Sequence, residues 1–429
     1  MKYFQFILFI ILGLFISCIG LDKTAATIQG KKIHLSDIYQ VYDKAAFNVL
    51  SPAKKTAFVR KYAVLKYLSS FDKQYLTDMD FNVDEEKNKF KHDLIIQEVE
   101  KYLFNDLHFL DSTLEFISDA LNVDVFVKTL TVTHKFSFGK ASERTRDEAY
   151  KRANMIYNRI FSKDLSFEEA MSIYGELDVS KIKGNDMGQI SFGFMPKLFN
   201  DLVWTSPQGK LIGPIETPIG YHVVIVDHKI PKSGNDKIEF DPEKIRNDLK
   251  RGRYDYKAEH FKHFIDELYK TYAVSIDQQS LYKAWDAVRK IDGIKTMLGI
   301  AVDQMAKANF GSSLGSVDHE NITLNWVIKI SGIFNFYNTA TINSGFSFEK
   351  IINDVIGRYL FLKWYEDNTN LFPGVDLTIK QKTVNKIYAM FLDRKQELNP
   401  DLTRDIILNR FMLKHGIMVN SALFAENAN

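Results

Sequence analysis

Cysteine is almost absent: the 429 residues hold one, Cys18, so no disulfide can form within the chain and no cysteine/histidine metal cluster is present. Proline and glycine are sparse at 9 and 22, and 45% hydrophobic against 26% charged residues excludes a collagenous or extensively disordered chain. Charge of one sign is missing too. The net charge is +2, and no Lys/Arg run alternates with aromatics along a strand, which argues against nucleic acid as a partner. Nor is there a nucleophile elbow, and the Gly311 to Ser316 run lacks the lysine of a phosphate loop. His260 and His263 have metal-ligand spacing but sit among Lys257, Lys262 and Asp266 on a solvated helix face, so no metal or cofactor is called for. What the chain does have is length, too much for one hydrophobic core.

The first twenty residues differ from all that follows. Lys2 precedes an apolar run from Phe4 to Ile16, and Ser17-Cys18-Ile19-Gly20 closes it, the pattern of an export signal. Ser17-Cys18 is similar to the end of a bacterial lipoprotein signal, which makes Cys18 the candidate lipidation site. The alternative is an uncleaved helix from Tyr3 to Leu21, just long enough to span a bilayer. Either reading tethers the chain to a membrane and leaves the remainder outside the cytoplasm.

Residues 26–35 read as a hairpin turning at Gln29-Gly30, with Ser36 as the N-cap of a helical stretch that reaches about Leu121. A second helical stretch from Pro242 to Lys270 ends in a strand at residues 272–277. The last third echoes this order. Residues 314–325 repeat the hairpin and cap, and residues 416–420 repeat the closing strand. The expected organisation is therefore an anchor (1–20), an N-terminal helical segment (21–125), a distinct inserted domain (126–230), a helical segment completing the first module (231–280), and a second helical module (281–429).

The inserted domain has its own patterning. Residues 127–138 alternate, with Leu130, Val132, His134, Phe136 and Phe138 on one strand face and Thr129, Thr131 and Thr133 on the other. An amphipathic helix follows with Ala149, Ala153, Ile156 and Ile160 on one stripe, then a shorter helix opened by the capping box Ser166-Phe167-Glu168-Glu169. A short helix from Met195 to Trp204 precedes two closing strands, 212–216 and 221–228. Four strands and several helices in about a hundred residues describe an α+β domain.

Several motifs in this segment, taken together, resemble the parvulin family of prolyl isomerases. They are His134, Leu165-Ser166-Phe167-Glu168-Glu169-Ala170, Asn185-Asp186-Met187-Gly188, Met195-Pro196-Lys197-Leu198-Phe199, and above all Gly213-Pro214-Ile215-Glu216-Thr217-Pro218-Ile219-Gly220-Tyr221-His222. The resemblance implies a four-stranded antiparallel sheet with helices, and a site in which His134 and His222 are paired histidines. It also implies that Asp178 stands at the position of a cysteine or aspartate, that Thr217 supports the histidines, and that Met187, Met195 and Phe199 wall a proline-ring pocket. Asn185 in place of glycine and Ile219 in place of a small polar residue depart from the family pattern. Lys135 and Lys140 are too few for a phosphate-binding loop, so phosphorylated substrates are not implied.

The helical flanks resemble the chaperone modules of SurA-like and PrsA-like foldases. By that resemblance the partners are unfolded or nascent exported polypeptides containing Xaa-Pro bonds, and the protein is a cell-envelope or periplasmic isomerase with chaperone activity. The competing reading is a parvulin-domain holdase that binds peptides with little or no catalysis.

Overall fold

The computed structural model describes residues 22–70, 82–105, 109–176, 186–294, 299–334 and 340–425. Cys18 and the expected signal lie outside them, as does Asp178. Among the described residues no helix is long and apolar enough to cross a membrane.

In chain order the elements begin with β1 (Thr24–Ile28), β2 (Lys31–His34), α1 (Leu35–Tyr39), α2 (Lys44–Asn48), α3 (Pro52–Ser70), α4 (Val83–Asn105) and α5 (Asp111–Leu121). Next come β3 (Val123–Val132), α6 (Arg146–Phe161), α7 (Phe167–Tyr174), β4 (Asp186–Ile190), α8 (Lys197–Thr205), β5 (Leu211–Thr217) and β6 (Gly220–Pro231). The rest are α9 (Pro242–Lys250), α10 (Tyr256–Thr271), β7 (Ser275–Ile276), α11 (Gln278–Val288), β8 (Ile300–Ala301), β9 (Gly315–Val317), β10 (Glu320–Ile322), α12 (Leu324–Ser331), β11 (Thr341–Ile342), α13 (Gly345–Asp367), α14 (Val375–Glu397), α15 (Arg404–Lys414), β12 (Ile417–Val419) and α16 (Ala422–Ala425).

The chain divides into two compact units, residues 1–95 with 365–429 and residues 96–364. In the first, the hairpin β1–β2 takes β12 as its third strand, Ala26 opposite Val419 and Ile28 opposite Ile417. Its core gathers Phe47, Val59, Val64 and Leu68 with Ile387, Phe391 and Phe411. In the second unit the hairpin β9–β10 takes β7, Ser275 opposite Ser316. The two hairpins and two closing strands read from the sequence are present, but each hairpin pairs with the other module's closing strand. A two- or three-residue strand has too little pattern to name its partner; backbone pairing does that. Gly315 shows the closeness of one such contact, since a Cβ there would lie 1.9 Å from the Ser275 carbonyl oxygen.

Within the second unit, β4-β3-β6-β5 form a four-stranded antiparallel sheet. Alternation along the strands sends Leu130, Val132, Tyr221 and Val223 to one face, where they meet Ala149, Ala153 and Ile156 of α6 and Phe167 and Ala170 of α7. Val125, Val127, Val224 and Val226 go to the other face, against Met195, Phe199 and Val203. Thr145 caps α6 and Ser166 caps α7, each in a full capping box with Glu148 and Glu169.

The strand carrying the first candidate residue is shorter than its alternation suggests. It stops at Val132 rather than running to Phe138. Both the N–H and the hydroxyl of Thr133 donate to Glu176 Oε2, each at 2.9 Å, so Thr133 leaves the ladder. The Lys135 N–H then donates to the Arg144 carbonyl and the Ser137 N–H to the His134 carbonyl, closing a turn.

Candidate functional site

His222 is the centre of the buried polar cluster on the α8 side of the sheet. It sits in β6 opposite Thr131, and its side chain is 2% exposed. Nε2 is 2.6 Å from the Thr217 hydroxyl, while Nδ1 is 3.0 Å from the hydroxyl of Thr131 and 3.4 Å from that of Thr129. The β5–β6 turn fixes Thr217: the Ile219 N–H donates to its Oγ1 at 3.2 Å. Gly220 is required in this turn. Its φ is +141°, and a Cβ there would come within 2.5 Å of the Val132 carbonyl oxygen.

The wall beside this cluster is apolar. The Phe199 ring meets the His222 imidazole edge-on with centroids 5.7 Å apart, and Phe199 and Met195 are buried. Met195 precedes α8 rather than starting it, since Pro196 is the N-cap. Burial lowers the His222 pKa from the usual 6.5 to about 4, so the imidazole is neutral at neutral pH. A neutral ring flanked by hydroxyls on both nitrogens has a partner for its one donor and its one acceptor.

His134 is placed differently. It lies two residues beyond β3, buried, with Nδ1 accepting from the Phe136 N–H at 3.1 Å and Nε2 without a partner among the described residues. Its ring centroid is 6.1 Å from that of Tyr221. No hydrogen bond among the described residues joins it to His222; the hydroxyls of Thr129 and Thr131 occupy the Nδ1 side of that ring. Burial, then the nearby Arg146 charge, lowers its pKa to about 4.

Met187 belongs to β4 by its backbone, and its side chain lies outside the described residues, as does all of Asp178. The structure therefore brings together Thr217, His222, Met195 and Phe199, and holds His134 near but apart. Thr129 and Thr131 were missed as site residues. Their signal was available, since β-branched hydroxyl residues recurring on one strand face mark a polar face within a buried sheet.

His134 and Thr217 also line a cavity of about 640 Å3 that includes Pro196, Pro218 and Leu198, with Phe346 and Glu349 from α13 and His263 from α10. The loop between β3 and α6 is docked beside it. Phe136, 1% exposed, stacks on Tyr282 with centroids 5.0 Å apart. Lys135 pairs with Asp286 at 3.0 Å and Arg289 with Glu143 at 2.7 Å. Arg146 holds Glu349 through its two terminal guanidinium nitrogens and reaches Glu216 through Nε at 3.2 Å. With Glu349 and Glu216 on it, this arginine is already neutralised and is no free phosphate anchor.

Residues 131–228 match the domain family described as "Rotamase: PPIC-type PPIASE domain". The chain is 24% identical over 226 residues to the foldase protein PrsA of Caldanaerobacter subterraneus subsp. tengcongensis, covering 46% of this chain and 71% of the relative. It is 39% identical over 86 residues to the chaperone SurA of Colwellia psychrerythraea, covering 20% of this chain and 19% of that one. The crystal structure of peptidylprolyl isomerase PrsA from Bacillus anthracis is 19% identical and aligns with 53% of this chain and 92% of its own, with a TM-score of 0.27. The chain thus spans most of one curated relative and about a fifth of the SurA sequence.

Proposed function

We propose, from the parvulin-type domain that residues 131–228 form, that this protein is a peptidyl-prolyl cis/trans isomerase with chaperone activity toward unfolded, exported polypeptides. An Xaa-Pro bond has only a small trans preference but a rotation barrier of about 18–20 kcal/mol, so folding chains wait on it. The planar amide is more polar than the twisted transition state. A site that strips water from the bond lowers the barrier without covalent chemistry, and a thousandfold gain requires only about 4 kcal/mol of differential stabilisation. Phe199 and Met195 supply such an apolar wall, to which the family resemblance also assigns Met187, and the neutral His222 held by Thr217 provides an oriented dipole at its base. By the same resemblance Asp178 is assigned the carboxylate that acts on the rotating carbonyl.

The observation that carries this reading is the buried Thr217–His222 pair, 2.6 Å apart, set against Phe199 within the matched domain. The rest is proposed from the sequence. Residues 1–20 export the chain, Cys18 carries the lipid that tethers it at the cell envelope, and the helical segments hold clients.

One observation favours the holdase reading. The imidazole of His222 faces threonines where the resemblance places a second histidine. Two assays on one preparation separate the readings: acceleration of Xaa-Pro exchange, and suppression of aggregation of a denatured client. The proposal expects both; a holdase gives only the second.

A further inference from the structure

A second cavity, of about 780 Å3, adjoins the one at the candidate site, and the two share Arg146, Lys262 and Glu349 as a common wall. Apart from Arg146, its lining lies outside the matched domain, on α4, α10 and α13 and on residues 276 and 278. Both volumes fall within the roughly 300–1,000 Å3 of ordinary ligand sites.

The chemistry of the lining narrows the occupant. Its floor is apolar, with Ile96 and Phe361 nearly inaccessible and Phe261 and Ile265 beside them. The lining also carries charges of both signs, and two cations are held within their own helices: Lys262 by Asp266 at 2.8 Å and Lys350 by Asp354 at 2.5 Å. Four acidic residues (Glu100, Asp266, Glu349, Asp354) face four basic ones (Arg146, Lys262, Lys350, Arg358), leaving no field to attract a nucleotide or other highly charged ligand. A neutral polypeptide with apolar side chains fits.

Gly357 is the second observation. It lies inside α13 with no turn to require it, in a position where glycine is a poor helix former. Gly357 and Ile265 both line the cavity, and an added Cβ at Gly357 would already meet Ile265 Cδ1 at 3.4 Å, so a longer side chain there crowds this part of the lining. Glycine keeps the floor open.

We propose that this second cavity is a subsite for client residues flanking the isomerised proline, so that one extended segment occupies both cavities past the Arg146–Glu349 pair. The inference rests on the isomerase reading for its kinetic consequence, but the binding it describes does not.

The test compares a four-residue Xaa-Pro peptide with versions extended by about six uncharged residues on either side, enough to span about 20 Å. Exchange is followed by NMR with the full chain. Extension on one side raises kcat/KM at least tenfold, chiefly through KM. Gly357→Leu abolishes that gain while leaving kcat/KM for the short peptide unchanged, and Gly357→Ala keeps it. Ile265→Trp, which fills the cavity from the facing helix, repeats the Gly357→Leu result and covers misfolding of the first variant. No gain from extension on either side, or a gain that survives both filling variants, overturns the subsite. Should the short peptide not be isomerised at all, the isomerase reading fails separately. A fluorescent extended peptide then reads the subsite directly, and at least tenfold weaker binding to both filling variants is the expected result; equal binding overturns it.

Discussion

Across the β5–β6 turn, the Thr217 hydroxyl lies 2.6 Å from Nε2 of His222, and the Ile219 N–H holds that hydroxyl in place. Thr217→Val keeps the shape and removes both interactions. The buried Nε2 loses its partner, at a cost of about 1–3 kcal/mol. Denaturant unfolding should show this loss, and exchange of an Xaa-Pro peptide should slow in the same variant because the ring is no longer oriented.

On the other side of the ring, Thr129 and Thr131 offer Nδ1 two hydroxyls at 3.4 and 3.0 Å. Thr129→Val should therefore be nearly silent and Thr131→Val mild. The double substitution should cost more than their sum, by about 1 kcal/mol or more, because only then is Nδ1 unpaired. A double-mutant cycle measured by urea unfolding reads the coupling; strict additivity would remove the threonines from the account.

Burial lowers His222 and His134 from 6.5 to about 4. Between those values the unfolded chain binds protons that the folded chain does not, so stability rises with pH across this window and falls as pH drops from 6.5 toward 4. His222 alone accounts for about 3 kcal/mol over that span. Unfolding midpoints of the parvulin-type domain should be flat from pH 7 to 8 and decline steeply below pH 6, while exchange rates in the folded protein stay constant from pH 6 to 8.

Phe136 is buried between the β3–α6 loop and the helices behind it, stacked on Tyr282 and near Phe348. Phe136→Ala opens a cavity at that contact and should destabilise the second unit by about 3–5 kcal/mol. Thermal unfolding followed by tryptophan fluorescence is the check, with Trp285, 5.5 Å from Phe348, as the local reporter.

The closing motif was legible in the sequence because its parts are local. Thr217, Gly220 and His222 lie in one turn and one strand, and the turn geometry that joins them is written in six residues. Met195 and Phe199 were legible for the same reason, since they lie four residues apart, one just before α8 and the other in its first turn. His134 was not. Alternation shows which face a residue would take if the strand continued, but Glu176, 43 residues away, ends the strand by capturing Thr133. The exchange of closing strands escaped for a like reason, since β1 and β12 are almost four hundred residues apart and their three-residue pairing has no sequence signature.

The most direct test is NMR exchange of an Xaa-Pro peptide with the full chain, repeated with His222→Leu and Asp178→Ala. The account predicts clear acceleration by the intact protein, lost on replacing His222 and strongly reduced on replacing Asp178. No acceleration by a folded, intact chain would contradict it and leave a peptide-binding holdase.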